Sequence, residues 1–157
     1  AEMSHNAWLA LHVLGVVIFL GNIIVTAVWK VLADRTRNPA IVAYAQRLVP
    51  ITDIAFTATG VVLIIVSGQV LADDFGGVFS GPFWLTLGWS LFIASGVIWV
   101  AILIPIQVKQ ARLAKHFGNE GTIPERYWRL AMLWYVFGGI ATLLPLVNIY
   151  LMVFKPS

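Results

Sequence analysis

Residues 7–29 read AWLALHVLGVVIFLGNIIVTAVW, with no Asp, Glu, Lys or Arg among them. A bilayer core of about 30 Å is crossed by about 20 helical residues, so this stretch is long enough to span. Three more apolar stretches, 48–72, 82–108 and 130–154, meet the same criterion. Across all four, Asp53 is the only formally charged side chain. Composition agrees: of 157 residues, 60% are hydrophobic and 11% charged, against about 25% charged in a soluble domain. The mean hydropathy is +0.89. A water-soluble globular protein is excluded. Backbone amides in lipid must satisfy one another, which open strands cannot do. The expected fold is an all-α, four-helix transmembrane bundle forming a single integral-membrane domain over residues 1–157, with the lipid bilayer as its first partner.

With no cysteine, disulfides, thiolate metal sites and cysteine nucleophiles are excluded. The net charge of +3 does not indicate a nucleic-acid partner, because the basic residues sit beside apolar runs and form no basic domain of their own. Nine of the ten Lys and Arg lie in two connectors: Lys30, Arg35, Arg37 and Arg47 in one, Lys109, Arg112, Lys115, Arg126 and Arg129 in the other. The connector Asp73–Gly81 has two acids and no base. Basic connectors stay in the cytoplasm, so both termini are expected on the outer side. The first span lacks preceding Lys or Arg and a small-residue cleavage site, and is expected to remain as a helix.

Asn38-Pro39 reads as an N-cap and first-turn proline, predicting a short surface helix over Pro39–Arg47 that leads into the second span. Gly118–Pro124 reads as a turn, with Pro124 opening a helix into the fourth span. Pro105 and Pro145 predict kinks.

A heptad reading of the first span places His5, His12, Phe19 and Thr26 on one row and Trp8, Gly15, Asn22 and Trp29 on the next. Polar groups in hydrocarbon are costly, so this stripe is expected to face the other helices. Pro50, Asp53, Thr57 and Gly60 share a face of the second span; Trp134, Gly138, Ala141, Pro145, Asn148 and Met152 share one of the fourth. At about 1.5 Å per residue, His12 lies about 7–8 Å and Asn148 about 9 Å below the outer edge, while Asp53 and Asn22 share a level about 15 Å deeper. Two sites follow: an outer one at His12, Asn148 and Met152, and an inner polar one at Asp53 and Asn22.

Imidazole offers a ring nitrogen to haem iron, to another metal or to a proton. The plainer reading of His12 is a neutral side chain hydrogen-bonded to Asn148 or a backbone carbonyl. Asp53 is either a proton-relay or ion-binding carboxylate, or an anchor paired with Asn22, Thr57, Lys30 or Arg47. Space for haem would come from Gly15, Gly138 and Ala141. Trp8, Trp29, Trp84, Trp128 and Trp134 are expected in the aromatic belts at the membrane faces, and His116 in solvent. No phosphate loop, nucleophile elbow or zinc spacing is present.

The segments Ala10-Leu11-His12-Val13-Leu14-Gly15, Gly21-Asn22, Trp29–Thr36, Thr52-Asp53, Ile104-Pro105-Ile106-Gln107 and Tyr150–Pro156 resemble a family of bacterial predicted integral membrane proteins with a domain of unknown function. The resemblance covers nearly the whole chain and implies a multi-pass protein of the bacterial cytoplasmic (inner) membrane. More distantly, the Leu-His start of the first span resembles HemJ-type protoporphyrinogen oxidases and CopD-type copper-resistance domains. The HemJ-type likeness implies a b-type haem, with His12 as the important histidine. The third-span lysine of that family has no counterpart in 82–108. Two functions are therefore expected: a haem-associated redox protein using His12, or a non-enzymatic accessory subunit or copper-handling protein. For copper, Met3, His5, His12 and Met152 lie toward the outer side. Another membrane protein or a second copy of the chain would be the further partner.

Overall fold

The computed structural model describes residues 4–157. Four long helices account for the four expected spans: α1 (His5–Arg35), α2 (Pro39–Asp73), α3 (Phe83–Asn119) and α4 (Glu125–Phe154). No strand occurs among the described residues. Local chemistry sets the helix ends. The Ser4 hydroxyl accepts from the Ala7 N–H at 3.3 Å and opens α1, as an N-cap does. Asn38 accepts from the N–H groups of Ala40 and Ile41 at 3.0 and 3.3 Å, and Pro39 follows in the first turn of α2, where its missing N–H costs nothing. Gly121 closes the helix of α3 with φ of 75°, a left-handed conformation that suits glycine.

All four helices overrun the spans expected from hydropathy at the end opposite the termini. Pro39–Arg47 is not a separate surface helix but the opening turns of α2. Pro124 caps α4, whose first helical residue is Glu125. The extra turns persist because they have a core of their own: Val42, Ala43, Ala114, Phe117, Tyr127 and Ala131 are buried together. Within it the Phe117 and Tyr127 rings meet edge to face at 5.2 Å.

Helices α1 and α2 pack as one hairpin and α3 and α4 as another. The hairpins join chiefly at the basic end, through α2 against α3 and α1 against α4, and diverge toward the end carrying the termini. Gly15 and Gly60 bring α1 and α2 close. A Cβ on Gly60 would lie 2.8 Å from the Phe19 Cβ and 2.9 Å from the Gly15 carbonyl oxygen. Outward-facing residues such as Val17, Ile54 and Val153 are 62%, 73% and 67% exposed, an apolar surface suited to lipid tails.

Two π-helical turns interrupt the spans, Asp53–Ala58 in α2 and Trp99–Leu103 in α3. Each has a proline nearby, Pro50 and Pro105. The Pro105 ring would clash with the carbonyl four residues earlier, that of Ala101 within the second turn, and a wider turn is one way a helix absorbs that insertion. The turn that follows Pro50 has no such cause. Pro145 is buried within α4. The tryptophan belt needs correction at two positions. Trp84 and Trp134 are 6% and 7% exposed, so they pack inside the bundle rather than against lipid.

Candidate functional site

The diverging hairpins enclose two cavities, one above the other. The cavity nearer the termini has a volume of about 510 Å³, and His12, Asn148 and Met152 all line it, with Trp84, Gly88 and Trp89. The outer site read from the sequence is thus assembled in one place. Of the two partners expected for the imidazole, Asn148 and a backbone carbonyl, the second is met, by Ile64. His12 does not bond Asn148. Its Nδ1 lies 3.1 Å from the Ser67 Oγ, and Ser67 donates its hydroxyl proton to the Leu63 carbonyl. Ser67 then offers Nδ1 an acceptor, and a proton on Nδ1 would leave Nε2 with the ring's lone pair. Asn148 donates to the Gly88 carbonyl at 3.0 Å, while its Oδ1 is buried without a partner.

The glycines expected to make room beside His12 are elsewhere. Gly15 is wedged against Leu63 and Gly60, and Gly138 and Ala141 line the other cavity. Space beside His12 comes from Gly68, where a Cβ would lie 3.2 Å from the imidazole Cε1. Gly88 does the same on α3: a Cβ there would lie 2.7 Å from the Met152 Cε and 3.2 Å from the Asn148 Oδ1. At the rim, His5 and Asp74 approach to 2.7 Å, and the Lys155 ammonium lies 4.9 Å from the Phe75 ring centre and 5.5 Å from that of Trp84. Met3 lies outside the described residues. Among those residues no three His, Cys, Asp or Glu side chains converge on one point.

The second cavity, about 970 Å³, lies deeper and is lined by Asp53, Thr57, Trp99, Gln107 and Tyr135 among many apolar side chains. Asp53 faces the bundle and is 8% exposed. Its Oδ1 accepts from Thr57 at 3.0 Å and from Asn22 at 3.4 Å, and its Oδ2 from the Trp99 indole at 3.5 Å. Asn22 also donates to Thr57 at 2.9 Å and accepts from Thr26 at 3.2 Å. The inner site therefore contains Asp53 and Asn22 as expected. Neither Lys30 nor Arg47 pairs with the carboxylate.

Lys30 belongs to a third cluster that the hydropathy reading missed by leaving it in a connector. Lys30 and Asp34 are 0% and 4% exposed, and their charged groups meet at 2.9 Å. Tyr127 and Tyr135 of α4 donate to Asp34 at 2.7 and 2.5 Å. The ammonium also donates to the Tyr127 hydroxyl at 3.2 Å, and the rings of Tyr127, Trp134 and Tyr135 surround it at 5.4, 5.1 and 5.8 Å. The available signal was the four-residue spacing of Lys30 and Asp34, which places them on one helix face. The tyrosine donors of α4 gave none. His116 is exposed, as expected.

A family model described as "Predicted integral membrane protein (DUF2269)" matches residues 7–156. The chain belongs to that family. No curated protein and no solved structure matches it. The family match spans all three polar clusters, from His12 on α1 to Met152 on α4, and makes the chain an integral membrane protein that sits in a lipid bilayer.

Proposed function

We propose that the chain is a haem-associated redox protein of the bacterial inner membrane, with both termini on the outer side and a b-type haem held in the cavity beside His12. One observation carries this reading: Ser67 and the Ile64 backbone hold the His12 ring on the wall of an apolar cavity, where a proton on Nδ1 would present Nε2 as a lone-pair donor. Holding one ring nitrogen to orient the other is the usual support of a ligating histidine. The rest of the donor set fits. Met152 would offer its thioether to the iron, the unpaired Asn148 Oδ1 would offer an acceptor, and Lys155 on the rim would supply a cation for the group's carboxylates. A bound haem would supply one-electron exchange. The chain's own residues would fix its orientation and exclude water from it, through Trp84, Leu85 and Trp89. The positive-inside asymmetry of the connectors supports the orientation.

The test is the visible spectrum of the protein purified gently from its native host. A Soret band is expected in wild type and not in His12→Ala. Folded wild-type protein with neither haem nor copper would leave His12 a hydrogen-bonded structural residue in an accessory bundle. Bound copper without haem would favour the copper-handling alternative.

A further inference from the structure

A carboxylate inside the spanning region is expected to have a cationic partner or a function, and among the described residues Asp53 has no cationic partner. The side chains donating to it, Thr57, Asn22, Trp99 and Gln107, are all neutral. Among the described residues the only carboxylates in ion pairs are Asp34, with Lys30, and Asp74, with His5. Lys30, the nearest candidate by sequence level, is committed to Asp34 and enclosed by three aromatic rings. Asp53 instead lines a cavity of about 970 Å³ whose other walls include the aromatic side chains Phe19, Phe92, Trp99 and Trp134. That volume falls in the range of about 300–1,000 Å³ typical of small-molecule pockets.

The rim shows where a ligand would enter. Val28 on α1, Val97 and Val100 on α3 and Leu143 on α4 line the cavity and are 54%, 59%, 58% and 61% exposed. The cavity therefore opens sideways onto the surface that meets lipid, between the two hairpins. A ligand must be soluble in the bilayer to reach it, and its charge must complement a carboxylate. Aromatic faces attract cations as well.

The geometry points to the Asp53 cavity as a binding site for a lipophilic organic cation, a bulky apolar molecule with one delocalised positive charge that enters from the bilayer. Asp53 supplies the countercharge, Thr57, Asn22 and Trp99 hold the carboxylate in place, and the aromatic walls pack against the ligand. The site is separate from the His12 cavity and does not depend on a haem.

The probe is tetraphenylphosphonium, titrated by calorimetry into the detergent-purified full chain. Saturable binding of one cation per chain is expected for wild type. Asp53→Asn keeps the size of the side chain and removes its charge, and should weaken binding by about tenfold or more, the scale of a lost charge-assisted contact. Gly96 lines the cavity, and a Cβ there meets nothing within 4 Å. Gly96→Phe should therefore fill the space and abolish binding with Asp53 intact, which keeps the test decisive if Asp53→Asn fails to fold. His12→Ala should bind as wild type does. Absence of saturable binding by wild type would overturn the proposal, as would equal affinity in Asp53→Asn. Equal uptake of neutral triphenylmethane would also overturn it and make the cavity a lipid-tail site.

Discussion

Phe19 of α1 and Phe92 of α3 face each other across the bundle with ring centres 6.0 Å apart and planes at 58°, and both rings line both cavities. They form the partition between the His12 space and the Asp53 space, at a level where the hairpins otherwise diverge. Replacing Phe92 with Ala should join the two cavities. Phe92 is half-buried, so the cost should be about 2 kcal/mol, below the ~3–5 kcal/mol of a fully buried Phe→Ala change. Thermal unfolding in detergent checks this, and an unchanged midpoint would mean that the rings do not hold the hairpins together.

The Lys30–Asp34 pair should behave as a buried ion pair. Removing one partner strands the other charge, so Lys30→Ala or Asp34→Ala should each destabilise the fold by about 3–5 kcal/mol. The double change Lys30→Met with Asp34→Leu leaves no stranded charge and should cost less than the sum of the single changes. Unfolding curves for the three variants decide it. Additive costs would show that the two groups act independently.

Gly60 is predicted to be intolerant of any side chain. A methyl there would press on the Phe19 N and Cβ and on the Gly15 carbonyl oxygen, all at 2.8–2.9 Å, so α1 and α2 would have to separate. Gly60→Ala should cost about 1–3 kcal/mol, as overpacking does. Gly139 meets nothing within 4 Å, and Gly139→Ala should be stabilising by up to about 1 kcal/mol through helix propensity. Detergent-stability assays on the two variants should move in opposite directions.

The cysteine-free chain allows a direct test of orientation. Ser80 and Lys115 are exposed at opposite ends of the bundle. In intact cells a membrane-impermeant thiol reagent should label Ser80→Cys and spare Lys115→Cys. The reverse pattern would place the termini in the cytoplasm.

The four spans, the cap at Asn38, the turn after Gly118 and the inward stripe of α1 were legible in the sequence, because each depends on neighbours within a few residues. A run of apolar side chains has one low-energy home in lipid, and an asparagine before a proline caps a helix whatever lies beyond. That His12, Asn148 and Met152 share one level and Asn22 and Asp53 another was legible as well, since depth along a helix follows from residue count. Which groups bond within them was not. His12 turns to Ser67 rather than Asn148 because the choice depends on the angle at which α1 meets α2, set by the Gly15–Gly60 contact. Lys30 looked like a connector base because hydropathy counts its charge and cannot see Tyr127 and Tyr135 arriving from α4, about a hundred residues away, to enclose it. Local pattern dictates a membrane bundle with a histidine and a carboxylate inside. That one basic side chain is core, that Asp53 has no countercharge among the described residues and that the hairpins part to leave two cavities follow from how separate helices meet, which no local pattern encodes.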